Sequence, residues 1–428
     1  MNHSKDSDIK ISYLIFFISY LTILIGYLLN EDSLGGAKVD FLYHLNIADN
    51  FRYNFLETWE GFGYGETGLQ TRNSPVFWII VSFINKFLSI DLIRGLNSVV
   101  SILIALFFYK CVCLKFKHIN KIKLTILVCS IIFLSPTIRS LSIWPYSLIW
   151  GILFFIISIY NLLLFLDNSK KTNKNVNTFL SIFFLAISSY LYPSFGFFIF
   201  YLIFKFYKNT KIFFLILLLN FIVSIPALLF FAWKGFYFFG AQGVNNLDKI
   251  TSFNFSSKII IITSLIFYFL IPILDFKETA LQIKNRFSIK LTFLIIVCTL
   301  FFSFFFEYPY FLNGGFGGGF FHKLSNLLFG NNLLLFIVFF ISLMIFISNL
   351  KLNYNNLIIY LSLIIFNLQF TIYNKYYDPI LLFILILLIN FNVENYLFKN
   401  KFQMIKLIII LTFYLFLGIF KNELYKFF

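Results

Sequence analysis

The sequence predicts an all-α, multi-pass transmembrane helical bundle of about thirteen spans, and two observations carry that prediction. Hydrophobic residues make up 60% of the 428 residues, charged residues only 12%, and the mean hydropathy is +0.87. The apolar runs recur along the whole length, so they do not form a single anchor. A soluble domain carries about twice this share of charged residues. We therefore treat residues 1–428 as one membrane domain built from helices, which satisfy their own backbone in hydrocarbon.

The positive charge is distributed as membrane topology requires. The net charge is +16, and the Lys and Arg residues lie in short clusters between the apolar runs. Such clusters favour cytoplasmic loops, so we interpret the charge as topogenic and expect no nucleic-acid partner. With residues 1–10 in the cytoplasm, the Lys-rich loops fall on the same side. These loops lie near residues 115–123, 167–177, 205–211, 276–290, 350–353 and 393–404.

The spans are predicted from apolar runs of about 20 residues, or fewer where neighbouring helices cover the run. The first run is too long for a typical signal-peptide core, and no small-residue cleavage site follows it, so we expect it to be retained. The predicted spans are 11–29, 92–113, 122–136, 146–166, 178–192, 193–208, 211–232, 258–275, 290–306, 331–349, 354–371, 377–392 and 405–421.

One apolar segment does not fit as a span. The segment 75–90 is short for a span and includes Lys86. Counting it as a crossing would also place the Lys-rich loop at 115–123 on the non-cytoplasmic side. We therefore predict a juxtamembrane or re-entrant helix on the non-cytoplasmic side, with Pro75 in its first turn. Residues 30–91 then form a helical non-cytoplasmic loop, which is the candidate active site.

Asp40 and His44 are the first candidates for chemistry in that loop. On a helix they are four residues apart and share a face. A carboxylate can act as a base while an imidazole orients or shuttles a proton, although a structural contact is the commoner use of such a pair. Asp49 lies about half a turn away in angle and joins the pair only if the helix breaks. Arg94, at the mouth of the next span, fits either a lipid-phosphate contact or a snorkelling cation.

Five short motifs follow one another along the chain. They are Val39-Asp40-Phe41-Leu42-Tyr43-His44, Asn73-Ser74-Pro75, Trp233-Lys234-Gly235 leading to Gly240, Tyr308-Pro309-Tyr310-Phe311-Leu312 and Tyr376-Tyr377-Asp378-Pro379. Their order resembles the GT-C superfamily, multi-pass glycosyltransferases that use polyprenyl-phosphate sugars. Within it, the chain looks most like the dolichyl-phosphate-glucose α-1,2-glucosyltransferases of N-glycan assembly and their bacterial relatives. The resemblance implies a GT-C-like helical bundle.

The resemblance also implies an inverting transfer of a hexose from a polyprenyl-phosphate sugar to an acceptor hydroxyl on the non-cytoplasmic side. Asp40 is then the general base, and His44 orients or assists it. The phosphate leaving group needs positive charge near the membrane surface. Four cations are candidates for that role: Arg72, Arg139, Lys323 and Lys375. Further substrate contacts are expected from Asp49, Glu307, His322, Tyr376 and Asp378.

No cofactor is expected. Asp40 is followed by Phe41 and has no acidic neighbour in sequence, which argues against an obligatory divalent metal without excluding one. The Gly-rich segment 313–319 lacks the Lys-Ser/Thr ending of a P-loop, so nucleotide binding is not expected. The four cysteines lie in or beside apolar segments and predict neither disulfides nor a metal site.

The expected partners are the polyprenyl-phosphate sugar donor, a saccharide or lipid-linked acceptor, and membrane lipids. The alternatives are a transporter or flippase for a lipid-linked saccharide and a polysaccharide polymerase or ligase. A transporter favours broken helices and ionisable residues near the bilayer midplane, whereas the distinctive polar residues here fall at the non-cytoplasmic mouth. The bias toward Phe, Ile, Asn and Lys favours a bacterial inner membrane over the endoplasmic reticulum.

Overall fold

The computed structural model describes most of the chain as helix. The described residues are 2–62, 74–167, 174–207, 210–234, 254–309, 317–349, 353–367, 371–390, 393–399 and 401–422. Within these ranges the β structure consists of an isolated parallel bridge between Gly317 and Ile372. The chain forms two compact units, Met1–Gly243 with Ile408–Phe428, and Val244–Leu407. The expectation of a single membrane domain stays a prediction.

The first unit is built from the N-terminal helices and the end of the last described helix, α20 (Lys401–Asn422). A 3₁₀ segment, Pro193–Phe198, leads into α10. The N-terminal helices are α1 (Asn2–Leu28), α2 (Ala37–Tyr53), α3 (Phe55–Gly61), α4 (Val76–Ile84), α5 (Ile90–Lys115), α6 (Lys121–Phe133), α7 (Pro136–Ile143), α8 (Ser147–Leu166), α9 (Lys174–Leu191), α10 (Ile199–Phe206) and α11 (Thr210–Lys234).

The second unit contains shorter helices, and it also holds the first turns of α20. A 3₁₀ turn, Asn374–Tyr376, precedes its most buried helix, α18. The helices are α12 (Phe255–Leu270), α13 (Phe276–Arg286), α14 (Ile289–Phe304), α15 (Gly319–Phe329), α16 (Leu333–Asn349), α17 (Tyr354–Ile365), α18 (Ile380–Leu387) and α19 (Val393–Phe398).

The predicted class, an all-helical membrane protein, agrees with the lengths and compositions of these helices. Five helices are long and apolar enough to cross a membrane, or up to seven spans if each of two bent helix pairs is one span. The bent pairs are α6 with α7, at 64°, and α13 with α14, at 108°. The five are Asp8–Leu28, Ile90–Lys115, Ser147–Leu166, Ile212–Phe230 and Phe402–Asn422.

Several predicted spans are short helices packed inside protein. The predicted span 377–392 contains α18, which has 8 residues and so is about 12 Å long, well short of a hydrocarbon core of about 30 Å. All eight of its residues are buried. A helix covered on every side by protein is apolar all round, as a lipid-facing one is. Composition alone therefore does not distinguish a short helix in the core of a unit from a crossing, and the count of thirteen spans stays a prediction.

Two segments predicted as loops are helical. The predicted cytoplasmic loop 276–290 contains α13, whose start is capped because the Asp275 carboxylate accepts the N–H groups of Lys277 and Glu278. The predicted outside loop 137–146 contains α7, and every residue of α7 is buried. Ser135 caps α7, and Pro136 occupies its first turn, where the missing N–H costs nothing. Local capping residues therefore marked both helices, although charge and hydropathy did not.

The ends of α1 and α20 meet. The Asn422 side-chain amide donates to the Ser33 carbonyl at 2.9 Å, and Gly418 allows this approach because a Cβ there would lie 2.6 Å from the same oxygen. Both helices therefore end on the same side. If each crosses the membrane once, the chain makes an odd number of crossings.

A buried ion pair holds α7 against α1 and the segment that follows α1. Arg139 forms two hydrogen bonds with the Glu31 carboxylate, at 2.8 and 2.5 Å, and the side chains are 7% and 10% exposed. The remaining guanidinium N–H groups reach Thr22 and the Phe133 carbonyl. Gly26 makes room for the pair, since a Cβ there would lie 2.5 Å from Glu31 Oε2. All five N–H groups of Arg139 are thus satisfied by protein.

Polar residues of α5 hold the other end of α7. Asn97 donates to the carbonyls of Leu141 and Ser142 at 2.7 and 2.9 Å, and Arg94 donates to the Ile143 carbonyl at 3.3 Å. The Arg94 guanidinium also lies 3.9 Å from the centre of the Trp144 ring. These bonds satisfy carbonyls that the short helix leaves open at its C-terminus. Arg94 is therefore held by protein contacts rather than extended toward the interface.

We expect Arg139→Met to lower the free energy of unfolding by about 3–5 kcal/mol, because it leaves the Glu31 carboxylate buried without its counter-ion. Replacing both Glu31 and Arg139 by Met should restore part of that loss. Unfolding of the purified protein in detergent measures both effects. Lys86→Met, at an exposed lysine, is the control and should change stability by less than about 0.5 kcal/mol. An Arg139→Met protein as stable as Lys86→Met would contradict this role.

Candidate functional site

Asp32 sets the start of α2, the helix that carries the predicted catalytic pair. Its carboxylate accepts four backbone N–H groups, those of Gly35, Gly36, Ala37 and Lys38, at 2.8 to 3.2 Å. These are the donors that a helix start leaves without intrahelical partners. The first turn of α2 is therefore held in place, and that turn contains Asp40.

Asp40 and His44 lie together on α2, as their spacing predicts. His44 is 6% exposed, Asp40 is half-buried, and His44 Nδ1 lies 2.6 Å from the Asp40 backbone carbonyl oxygen. A carbonyl only accepts, so Nδ1 carries the proton and Nε2 holds the lone pair of the neutral ring. The main chain of Asp40 thus orients the imidazole, and its carboxylate lies one helical turn before it.

Aromatic rings enclose His44. The Trp78 ring stacks on the imidazole with centroids 4.8 Å apart and an angle of 14°, and Tyr146 meets it edge-on at 5.5 Å. Tyr43 contacts it edge-on at 5.2 Å. Trp78 is fully buried, and its indole N–H has no hydrogen-bond partner among the described residues. The ring orientation of His44 is therefore fixed by packing as well as by its hydrogen bond.

Asp49 does not join the pair. The helix α2 is continuous, so Asp49 lies about 13 Å further along it than Asp40 and half a turn around. Its carboxylate accepts a hydrogen bond from the Asn85 side chain at 3.2 Å, which links α2 to the end of α4. Asp49 has a structural contact there, and its proposed role in substrate binding stays a prediction.

Two of the predicted phosphate-binding cations, Arg72 and Arg139, belong to the first unit, and the structure describes only Arg139. Arg139 donates all five of its guanidinium N–H groups to Glu31, Thr22 and Phe133. This favours a structural role for Arg139. Arg72 lies outside the described residues, within the segment 63–73. The prediction for Arg72 is therefore unchanged.

A largely apolar cavity of about 490 Å³ lies within the first unit, a size typical of sites for small molecules and lipid chains. Its walls come from α9, the 3₁₀ segment, α10 and α11, and its remaining lining comes from Trp59 and residues 74–76. Aliphatic, proline and small residues form most of the lining. Its polar members on the helices are Ser189, Tyr190, Asn220 and Ser224.

Aromatic residues cluster at the end of the cavity lined by Trp59. The Trp59 ring lies 5.3 Å from Phe230 and 5.7 Å from Trp233, centroid to centroid. Trp59 belongs to α3, while the other two belong to the last turns of α11. Such planar rings present apolar faces, which suit contact with the apolar face of a sugar.

The helix α4 separates the cavity from His44. Val76 lines the cavity, whereas Trp78, two residues later, stacks on the His44 ring. Two residues turn a helix by about 200°, so the two side chains point from opposite faces of α4. This nine-residue helix therefore touches the cavity on one face and the candidate catalytic pair on the other.

A proline alters α11 where it borders the cavity. Pro226 lies inside α11 and cannot donate the hydrogen bond that a helix makes at that position. The Tyr190 hydroxyl from α9 donates to the carbonyl of Val223, one turn earlier, at 2.6 Å. The two walls are thus joined through the side chain of Tyr190.

The remaining six substrate-binding candidates belong to the second unit. They are Glu307, His322, Lys323, Lys375, Tyr376 and Asp378. The main chain of Glu307 is held at its N–H and its C=O by the Ser257 hydroxyl, at 3.0 Å each, and its side chain is exposed.

His322 lies at the start of α15 and is 1% exposed. Its ring meets Tyr308 edge-on at 5.3 Å, and the Tyr308 hydroxyl accepts the Ile372 N–H at 2.9 Å. The Gly318 N–H donates to the Ile372 carbonyl at 2.8 Å. At Gly317, with φ of 79°, a Cβ would collide with that same carbonyl. These contacts join the start of α15 to the segment around residue 372.

The three candidates of the 374–378 turn follow that segment. The Lys375 ammonium lies 5.5 Å from the centre of the Tyr373 ring and 5.9 Å from that of Tyr376. Asp378 is 1% exposed, and its backbone N–H donates to the Asn374 carbonyl at 2.9 Å. A carboxylate so completely buried is rare without specific partners. Lys323 is half-buried beside His322 on α15.

The cavity is the feature that sequence reasoning missed. Its polar residues on α11, Asn220 and Ser224, are four apart and are followed by Ala227, so they share one face of an otherwise bulky apolar helix. That stripe of small and polar residues was a readable signal that the helix faces protein or a ligand. The apolar composition of 211–232 alone predicts an ordinary span.

No group of three or more His, Cys, Asp or Glu side chains that could hold a metal ion occurs among the described residues. No family model matches the chain, and no curated protein or solved structure is significantly similar to it. Functional conclusions therefore depend on the residues of this chain.

We expect stability to fall on acidification because of His322. Burial, and secondarily the charge of Lys323, lowers the pKa of the His322 imidazole from 6.5 to about 4. The unfolded chain binds this proton at higher pH than the folded chain does, so the stability present above pH 6.5 is lost as the pH falls toward 4. The loss should be roughly 3 kcal/mol.

The comparison with His322→Phe isolates this effect, because the other histidines titrate in both proteins. Unfolding is measured in detergent at several pH values between 4 and 7. The difference in stability between the two proteins should shift in favour of the variant as the pH falls. A difference that is constant with pH would refute the depressed pKa.

Proposed function

We propose that the chain is a GT-C-type membrane glycosyltransferase, which moves a hexose from a polyprenyl-phosphate sugar to an acceptor hydroxyl on a lipid-linked glycan or a cell-surface polysaccharide. One observation carries the proposal. The apolar cavity of the first unit reaches α4, and the opposite face of α4 packs on His44, one turn from Asp40. A lipid-binding space and a polar reaction site are thus neighbours across one short helix.

The cavity fits the lipid part of such a donor. Its walls include part of the candidate span Ile212–Phe230, so an isoprenoid chain entering from the bilayer would exchange lipid for protein contacts without leaving an apolar medium. Ser74 and Trp59 line the cavity beside α4. The proposal therefore assigns the phosphate and sugar of the donor to that end.

The proposed chemistry is a single displacement. The acceptor oxygen attacks C1 of the hexose, its proton passes to the Asp40 carboxylate, and the C1–O bond electrons leave with the lipid phosphate. The main-chain contact of Asp40 with His44 holds the imidazole in one tautomer, so Nε2 can accept a hydrogen bond from the acceptor. Arg72 is the first-unit candidate to offset the phosphate charge, and the predicted roles of Lys323 and Lys375, which belong to the second unit, stay predictions.

Topology and location complete the proposal. A count of about thirteen spans adds short apolar helices such as Pro193–Phe206 and Tyr354–Ile365 to the longer ones. In this proposal the active face is non-cytoplasmic. The membrane is the inner membrane of a bacterium, which the bias toward Phe, Ile, Asn and Lys favours.

A transporter or flippase for a lipid-linked saccharide is the second candidate. The proline in α11 beside the cavity favours it, because broken helices line the substrate paths of transporters. The two functions differ in whether a covalent product forms. A polysaccharide polymerase or ligase would also form one, but with a glycan rather than a single hexose as the transferred group.

We expect Asp40→Asn to reduce transfer by about 10² to 10⁴, the range that general base catalysis supplies. Membranes containing the protein are supplied with a labelled hexosyl polyprenyl phosphate, and the labelled product is counted. Glu57→Gln is the matched control, since Glu57 is an exposed carboxylate in the same non-cytoplasmic segment. Equal transfer by Asp40→Asn and wild type, at equal expression, would remove Asp40 from the mechanism. Movement of an intact lipid-linked saccharide across proteoliposomes, with no product, would favour the transporter.

We expect Ala227→Phe, which fills part of the cavity, to raise the KM for the lipid donor about tenfold, the equivalent of roughly 1.4 kcal/mol of lost binding. Its kcat should change less, because the reacting groups lie beyond α4. Leu229→Phe, on the same helix at a position 65% exposed, is the control and should leave the donor KM unchanged. If the two variants have the same donor KM, the cavity does not bind the lipid part of the donor.

A further inference from the structure

A second cavity, of about 350 Å³, lies in the first unit where α1 and α20 end. It is formed by the segment between α1 and α2, the first turn of α2 and the last turn of α20. Its lining residues are Asn30, Asp32, Gly35, Gly36, Lys38, Val39, Lys421 and Asn422. The contact of Asn422 with the Ser33 carbonyl holds its walls together. None of the residues assigned above to sugar transfer lines it.

The cavity presents uncompensated positive charge. Lys38 and Lys421 are exposed, and neither forms an ion pair with a carboxylate of the described residues. The Lys38 ammonium lies 5.4 Å from the centre of the Trp144 ring, which restricts where the charge can go. A site that gathers two ammonium groups attracts an anion.

The acid in the lining, Asp32, offsets only one of the two positive charges. Both carboxylate oxygens of Asp32 accept backbone N–H groups, four bonds in all, at the start of α2. The start of α2 is therefore already capped and does not attract a ligand. The side chains of Lys38 and Lys421 supply the attraction for an anion.

The depth of the cavity identifies the source of the anion. Two candidate membrane spans, Asp8–Leu28 and Phe402–Asn422, end at its walls, so it lies at the level of the lipid headgroups. Leu28 and Leu29, just before it, are each 75% exposed and are suited to contact acyl chains. Apolar surface directly below a pair of cations matches an anionic amphiphile better than a free ion in solution.

We propose that this cavity binds the phosphate headgroup of a membrane lipid through Lys38 and Lys421. Lysine binds phosphate as a point charge and needs no paired geometry. The bound headgroup links the start of α2 to the end of α20, which protein contacts join through Asn422 and Ser33. The site is independent of the proposed sugar transfer, since it requires neither a donor sugar nor Asp40.

The test is binding of a fluorescent phosphatidylglycerol to the purified full-length chain in detergent. Wild type should bind phosphatidylglycerol more tightly than phosphatidylcholine labelled in the same way. Lys38→Met with Lys421→Met keeps the apolar stems and removes both charges. With each lysine worth about fivefold, the Kd of this variant should rise about thirtyfold.

Two further variants distinguish charge from folding. Replacing both lysines by Arg keeps the charge and should restore binding to within a few-fold of wild type. Lys86→Met, at another exposed lysine of the non-cytoplasmic segment, should leave binding unchanged. An unchanged Kd in the double Met variant, or equal binding of phosphatidylcholine by wild type, would overturn the proposal.

Inorganic phosphate is the competing source of the same chemistry. Added in excess at constant ionic strength, it should displace little of the bound phosphatidylglycerol, because it lacks the acyl chains. Displacement as effective as that by unlabelled phosphatidylglycerol would overturn the assignment to a lipid. None of these measurements involves sugar transfer, so this site and the glycosyltransferase proposal can fail separately.

Discussion

The Arg139–Glu31 ion pair is the contact on which the arrangement of α1, α2 and α7 in the first unit depends. An isolated charge in a buried site is strongly unfavourable, and a short helix such as α7 leaves backbone groups open at both ends. The pair neutralises the charge, and the remaining guanidinium donors satisfy the main chain and side chain of α1 and the end of α6. Since Glu31 precedes Asp32, the same contact fixes the residue that caps α2. The position of Asp40 and His44 therefore follows from a cation five helices later in the chain, on α7.

The candidate site brings an apolar cavity and a titratable side chain close together. On one face of α4 lies a cavity whose lining is mainly aliphatic, and on the other lies an imidazole enclosed by rings. A reaction between a lipid-linked group and a polar acceptor needs both, because the lipid stays in hydrocarbon while the reacting atoms need proton acceptors. The two environments lie on opposite faces of one helix, so they are separated by little more than its width of about 10–12 Å.

The sequence alone predicts those features that depend on local spacing or on average composition. The membrane class follows from hydropathy, and the contact of Asp40 with His44 follows from their spacing of four. The Arg139–Glu31 pair joins positions 108 residues apart, so no local pattern identifies it. Composition does not identify the crossings at helices such as α18, because protein and lipid impose the same apolar composition. The cavity depends on which face of α9 meets which face of α11, and that is a property of packing.

The contact between Asn422 and Ser33 has a consequence for how the chain is made. The first unit includes residues from both ends of the described chain, and the entire second unit is encoded between them. During synthesis, the contact between Asn422 and Ser33 can form only after α20 has been made, which is long after the early helices. Until then the Ser33 carbonyl and the neighbouring surface lack their final partner, so the unfinished protein is the form most exposed to quality-control proteases and to mispairing of helices.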